Sequence, residues 1–289
     1  MKKLLALLMA LSLLFAFASC GGNTEETTAS SEETTVEAPA NPTIRISTTT
    51  SVNDSGLLPA ILPVFEQKTG YKVEVQSAGT GAAIQKAKDG NADLILVHSK
   101  ASEEAFVEEG YGLERLPFMF NYFVVVGPKD DPAGIKDCEN AAAAFVKIAS
   151  TESKFISRGD ESGTHKAELK IWGDSTPDAA ADKWYISAGQ GMGACLTMAN
   201  EQNAYCLTDK ATFLANKDSL SSLDIILAEG EDMKNTYSVI ACNPEKLDGI
   251  NTEGAKAFIE WILSDEADAL IAKYGEEQYG QALFTVIPE

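Results

Sequence analysis

The chain has 289 residues, 45% of them hydrophobic and 23% charged, with a formal net charge of −20. That length accommodates two ordinary domains or one two-lobed unit, and that balance excludes disorder along the whole chain. So large an acidic excess also argues against nucleic acid as a partner.

Lys2 and Lys3 precede an uncharged apolar run from Leu4 to Phe17, which Ala18-Ser19-Cys20 closes. The run is too short to span a bilayer comfortably, and its basic, apolar, small order is that of a secretory leader. The end at Cys20 resembles a bacterial lipoprotein processing site, in which the cysteine is lipidated and becomes the new N-terminus. Phe17 stands where such sites more often carry Leu, and an ordinary secretory cleavage nearby is the alternative. Residues 1–20 are thus expected to be leader. The mature protein is expected to be extracytoplasmic and held to the bacterial cell membrane by lipid on Cys20. Residues 21–42 carry five Glu, many Ser and Thr, and no aromatic or basic residue. They cannot bury enough apolar surface to offset their ordering entropy and are expected to be a flexible tether. Without leader and tether, 21 basic residues face 38 acidic ones, a net charge of −17.

From Thr43 onward strands and helices alternate. Thr43–Ile46 is strand-like. Leu57, Leu58, Ile61, Leu62 and Phe65 recur at helical spacing, and Gly70 ends that helix. Tyr71–Gln76 alternates apolar and polar residues as a half-buried strand. A short helix over 82–89 stops at Gly90, and Asp93–Val97 is a buried strand. Residues 102–109 form a helix whose run Glu103-Glu104 and Glu108-Glu109 is expected to face solvent. Phe120–Gly127 is a long strand ended by Pro128. Then follow a helix near 137–149, a strand over 154–157, a helix over 162–172, a strand over 184–187 and a helix over 194–201. Strands at 223–227 and 237–241 precede helices at 252–263 and 264–273. This order predicts an α/β fold with mostly parallel sheets. Trp172, Trp184 and Trp261 are expected to pack the cores. Cys138, Cys195, Cys206 and Cys242 lack metal or redox spacing, and the favoured assignment is small buried hydrophobes, with one disulfide as the alternative.

Four loops rich in Gly, Ser and Thr each follow a strand and open a helix: Thr48–Ser51, Ser77–Gly81, Arg158–Thr164 and Gly189–Gly193. In α/β proteins ligands bind beyond the carboxyl ends of strands. Helix starts there offer unpaired N–H groups, and hydroxyls add donors. Converging loops of this kind make an anion cage. Arg158-Gly159-Asp160-Glu161-Ser162-Gly163-Thr164-His165 is the most informative stretch. Its guanidinium suits oxyanions, and Asp160 is close enough to orient it. Ser162 and Thr164 bracket Gly163 at a helix start, where a plain N-cap with Glu161 serving the helix dipole is the competing explanation.

TTTS after the first strand, GTGxA, LVHS, SRGDxSGTHxxE, GQGMG, YxLTD and GAKAFIEW together resemble the tungstate-binding proteins of ABC importers, over Ile44 to Phe284. The resemblance implies a two-lobed, type II periplasmic-binding-protein-like fold with the ligand cleft between lobes. It implies a tetrahedral oxyanion as ligand, with phosphate and molybdate as alternatives to tungstate, and a permease as partner. A sensory or adhesive lipoprotein reusing the fold is the other alternative. Its ligand residues map to Thr50, Ser51, Arg158 and Thr164. On physical grounds Thr49, Thr80, Ser162 and Gly163 are added. The lobes implied are 43–124 plus 240–289 and 125–239, with strands 120–127 and 237–241 as hinges. Tyr122 departs from the family, whose members tend to carry an acidic residue after the Asn. No cofactor and no catalysis are called for, and a monomer is expected. His98 and His165 lack a nucleophile elbow or H-E-x-x-H, and Gly79-Thr80-Gly81 lacks the Lys of a P-loop.

Overall fold

The computed structural model describes residues 39–228 and 230–288. The expected leader, Cys20 and the tether up to residue 38 lie outside the described residues. In chain order the elements are β1 (Thr43–Thr49), α1 (Thr50–Asp54), α2 (Leu57–Thr69), β2 (Lys72–Ala78), α3 (Thr80–Lys88), β3 (Leu94–Val97) and α4 (Lys100–Glu108). There follow β4 (Leu116–Pro128), α5 (Ala141–Ser150), β5 (Phe155–Ser157), α6 (Gly163–Trp172), β6 (Tyr185–Ser187), α7 (Met192–Gln202), β7 (Tyr205–Asp209) and α8 (Lys210–Asn216). The chain ends with β8 (Leu223–Ala228), β9 (Lys234–Ala241), α9 (Thr252–Ile262), α10 (Asp265–Lys273), α11 (Glu276–Tyr279) and β10 (Thr285–Val286). Among the described residues no helix is long and apolar enough to cross a membrane.

The strands run in the order β2-β1-β3-β9-β4-β7-β5-β6, with β8 and β10 also paired to β4. The parallel pairing expected from the strand-helix alternation is found at both flanks, in β1 with β2 and β3, and in β5 with β6 and β7. Every pair that includes β4 or β9 is antiparallel. The sheets are therefore mixed rather than mostly parallel. A strand that leaves one set of elements and a strand that returns to it must run in opposite directions. The long β4 changes partners along its length. Leu116 to Tyr122 pairs with β9, whereas Phe123 to Val126 pairs with β7.

The cores follow the same division. Phe118 and Met119 of β4 join a cluster with Ile44, Phe65, Phe258 and Trp261, to which Ala211 of α8 also contributes. A second cluster on this side surrounds Ile95, Phe106 and Ile240. Phe123 and Val125 join Phe145, Phe155, Trp172 and Tyr205, and Val124 and Val126 join Cys195, Leu196 and Phe213. The tryptophans pack as expected: Trp172 is 4.4 Å from Phe145 and Trp261 5.2 Å from Phe65, between ring centres. The four cysteines among the described residues are free thiols, three of them buried. Cys138, expected within a helix, precedes one, because Asn140 caps α5 by accepting from Ala143 N at 2.8 Å.

Two further expectations are corrected. Glu103 does not face solvent. It is fully buried, and Arg115 Nε donates to its Oε2 at 2.6 Å, while Glu104, Glu108 and Glu109 are exposed. Residues 205–216 carried no sequence-based element and form β7 and α8. Every residue of β7 is buried, which removes the alternation that marks a strand.

Glu168 on α6 is 1% exposed, and its Oε1 accepts from Tyr185 Oη at 2.7 Å and Trp172 Nε1 at 3.2 Å. Burial raises its carboxyl to about 7, and the hydrogen bonds offset this only in part. The folded protein therefore binds this proton more tightly than the unfolded chain, whose glutamate titrates near 4.5. Its contribution to stability falls as pH rises from 4.5 to 7 and is constant above. Glu168→Gln keeps the carbonyl acceptor and loses the charge. In urea denaturation it is expected to exceed the wild type by about 3 kcal/mol above pH 7, a gain that shrinks towards zero near pH 4.5. A difference independent of pH would refute burial as its source.

Candidate functional site

The site forms where the carboxyl ends of the strands meet. Thr48 is spent structurally, its hydroxyl donating to Leu96 O at 2.6 Å and tying β1 to β3. Thr49 has extended backbone and caps α1 by accepting from Val52 N at 3.4 Å. Its Oγ1 lies 3.1 Å from Ser51 Oγ, and both hydroxyls reach His98 Nε2, at 3.1 Å and 2.9 Å. Thr50 opens α1 and is half-buried. The register explains these meetings. Thr49 pairs with Ala78, so Thr80 at the start of α3 falls two residues beyond, and Thr48 pairs with Leu96, two residues before His98. Thr80 is fully buried and its Oγ1 has no partner among the described residues.

In the sequence His98 stands in the LVHS motif and is not among the expected ligand residues. The structure makes it the junction of the site. Its Nδ1 is 2.9 Å from Asn235 Oδ1, and Asn235 Nδ2 donates to Asn121 Oδ1 at 2.9 Å and Tyr237 Oη at 2.8 Å. Burial lowers the imidazole to about 4, against the Asn235 hydrogen bond and with help from the Arg158 charge. The ring is neutral at physiological pH. The carbonyl of Asn235 only accepts, so Nδ1 carries the proton and Nε2 accepts one hydroxyl proton, from Ser51 or from Thr49, while the two hydroxyls are bonded to each other. The signal available in the sequence was position: LVHS puts His98 directly after a buried strand.

The central motif approaches from the other side. β5 ends at Ser157, and the chain turns through Gly159 at φ +59, where a Cβ would meet Ser187 Oγ at 2.0 Å. The Arg158 side chain is 4% exposed, and its Nη2 donates to Asp160 Oδ2 at 2.5 Å. Asp160 Oδ1 accepts from Ser162 N at 3.2 Å. Partial burial would raise the Asp160 carboxyl, but the Ser162 hydrogen bond and the Arg158 charge outweigh it, so the carboxyl titrates below its ordinary value. Asp160 thus braces Arg158. Ser162 caps α6 by accepting from His165 N at 3.2 Å, as the competing explanation required, which leaves its hydroxyl proton able to donate. Gly163 is the contact point, since a Cβ there would lie 2.6 Å from His98 Cε1. Thr164 is 1% exposed, and neither its Oγ1 nor Arg158 Nε has a partner among the described residues. Gln190 N donates to Arg158 O at 3.3 Å, but the Gly189–Gly193 loop is mostly exposed.

Seven buried side-chain polar atoms lack a protein partner among the described residues, and three of them belong to sequence-predicted site residues: Thr80 Oγ1, Arg158 Nε and Thr164 Oγ1. All three are donors, and each left unsatisfied costs about 1–3 kcal/mol. The nearby carboxylates do not serve them. Asp160 is taken by Arg158 and Ser162. Asp209 at the end of β7 accepts from Thr212 N at 2.8 Å and Thr212 Oγ1 at 2.7 Å. None of α1, α3 and α6 carries an acidic residue in its first turn, in spite of the acidity of the chain. Such an arrangement accepts a guest that is negative and offers only acceptors. Among the described residues no cluster of His, Cys, Asp or Glu is placed to hold a metal cation.

Comparison with known proteins agrees with this chemistry. The PBP superfamily domain matches residues 29–266. The tungstate-binding protein TupA of Peptoclostridium acidaminophilum is 47% identical over 288 residues, which are 99% of this chain and 98% of that protein. The chain belongs to the tungstate-binding protein family. Its solved relatives share the fold. The tungstate ABC transporter structure from Geobacter sulfurreducens is 41% identical, covers 82% of this chain and all of its own, and superposes with a TM-score of 0.74. The tungstate-binding protein TupA from Desulfovibrio alaskensis G20 is 36% identical, covers 86% of this chain and all of its own, with a TM-score of 0.76. These relatives are binding proteins rather than enzymes.

A donor held for a guest should cost stability when the guest is absent. Thr164→Val removes the unpartnered hydroxyl and keeps the branched shape. In a buffer free of oxyanions it is expected to be about 1 kcal/mol more stable than the wild type by urea denaturation, whereas Thr164→Ser is not. A loss of stability in the valine variant would mean that the hydroxyl has a partner within the protein.

Proposed function

We propose that the chain is an extracytoplasmic receptor that binds tungstate in this cleft and delivers it to the permease of an ABC importer. The observation that carries the proposal is the set of three buried, unpartnered donors on Thr80, Arg158 and Thr164. Thr49, Thr50, Ser51, Ser162 and Gly163 complete the cage. The proposed lobes are 43–124 plus 240–289 and 125–239, with β4 and β9 as hinges. The first supplies Thr49–Ser51 and Thr80, and the second supplies Arg158 and Ser162–Thr164. An anion held by both lobes favours the closed state, because only that state satisfies all its acceptors. Lipid on Cys20 would hold the receptor at the membrane, and a working monomer is proposed.

Tungstate at neutral pH is unprotonated and only accepts hydrogen bonds, so a donor cage suits it. Monohydrogen phosphate needs an acceptor as well, and the carboxylates of Asp160 and Asp209 are engaged. Sulfate is also unprotonated, so size must exclude it. Molybdate has nearly the size and charge of tungstate and is the hardest competitor. The acidic surface does not forbid binding, because distant charges are screened over about 8–10 Å in physiological salt.

A thermal-shift panel of tungstate, molybdate, sulfate, phosphate and chromate tests this proposal. A ligand at a hundred times its Kd adds about 2.7 kcal/mol, which for this length raises Tm by roughly 5–10 °C. Tungstate is expected to give the largest shift, and Arg158→Ala to abolish it. Equal shifts with phosphate would overturn the ligand assignment, and an unaffected Arg158→Ala variant the site. Separately, Cys20→Ala is expected to move the protein from the membrane fraction to the soluble one; retention at the membrane would refute the lipid anchor.

A further inference from the structure

A groove of about 990 Å³ runs between α4, α6, β4 and β9, and His98 and Gly163, the contact point of the cage, form part of its wall. Its lining is basic in a chain of net charge −20. Five cations line it against two carboxylates, Glu104 and Asp232. Two of the cations are neutralised locally. Arg115 donates to the buried Glu103, and Lys100 lies 3.6 Å from Glu104. The other three are Lys166 and Lys170, one turn apart on α6, and Lys234 at the start of β9. None of the three forms a carboxylate ion pair among the described residues. Lys166 Nζ is 3.2 Å from Ser102 Oγ across the groove, and Lys234 Nζ lies 4.2 Å from the centre of the Phe120 ring.

A dianion approaching this protein meets repulsion from most directions. A groove with low-dielectric walls and an excess of cations focuses the field and raises local anion concentration. We propose that this groove is the approach path of the oxyanion, and that Lys166, Lys170 and Lys234 steer it towards His98 and the cage. The inference rests on the oxyanion-binding function proposed above. Steering lysines outside the cage act on association, not on the bound state. Their removal therefore slows capture, leaves dissociation unchanged, and matters less as salt screens them.

The test measures tungstate association and dissociation by stopped-flow fluorescence, and affinity by calorimetry, at low and high salt. It compares the wild type with Lys166→Gln/Lys170→Gln/Lys234→Gln and with Lys147→Gln/Lys183→Gln/Lys217→Gln, which removes the same charge from exposed positions outside the groove. At low salt the groove variant is expected to associate at least roughly threefold more slowly than the wild type, with dissociation unchanged and the gap closing at high salt. The second variant should change far less. Equal slowing in both variants would overturn the inference, since net charge rather than place would then govern capture. So would an unchanged groove variant, or one altered only in dissociation. A wild type that binds no tungstate in the calorimeter sinks the functional proposal and this inference with it; a binding wild type with an unaltered groove variant sinks this inference alone.

Discussion

The structure depends on keeping hydrogen-bond donors buried and unpartnered. A hydroxyl or a guanidinium N–H left without an acceptor in the interior is unfavourable, and a flexible chain would turn it towards water or the nearest carbonyl. Here each donor is denied that escape. Thr80 and Thr164 sit in the first turns of α3 and α6, directly after Gly79 and one residue after Gly163. Arg158 is held at one end by Asp160, and its Nε is buried without a partner among the described residues. The brace has a second effect. Each oxygen of that carboxylate accepts one hydrogen bond within its own loop, from Arg158 or from Ser162 N, which ties Asp160 to the turn that presents Arg158.

His98 extends this constraint to the rest of the fold. Its Nε2 gathers Thr49 and Ser51, its Nδ1 leads to Asn235 on β9, and Asn235 leads to Asn121 on β4. The ring also packs against Gly163. One neutral imidazole thus touches the first loop, the central motif and the network between the two long strands. A charged ring would donate from both nitrogens and could not accept from the hydroxyls beside it. The surface follows a different rule. The chain places acidity at exposed positions such as Glu104, Glu108 and Glu109, puts none in the first turns of α1, α3 and α6, and gathers in one groove Lys166, Lys170 and Lys234, which form no carboxylate ion pair among the described residues.

Much of this was legible in the sequence because it is local. Strand-helix alternation is written in short apolar periods, and the loops that open α1, α3 and α6 announce themselves by Gly, Ser and Thr after a strand. Arg158 and Asp160, two residues apart, could be paired on paper. Ser162 could be read as a cap, a ligand or both, since capping uses the oxygen and leaves the proton. Glu103 defeated the local approach, because an acidic run on a helix looks solvated until Arg115 is folded against it. β7 defeated it too, since burial on every face erases the period of two.

Sequence alone determined the kind of chemistry: which residues are donors, which turns start helices, and that the fold is α/β. The tertiary structure decided which donors remain free. That depends on contacts between residues far apart in the chain, as when Leu96 takes up the hydroxyl of Thr48 while nothing takes up that of Thr80. It also decided that His98 is bonded both to the Thr49–Ser51 turn and to Asn235, because strand register and the direction of β9 bring Asn235 to it. Local patterns encode what a residue can offer; only the packed chain settles which offers are already taken.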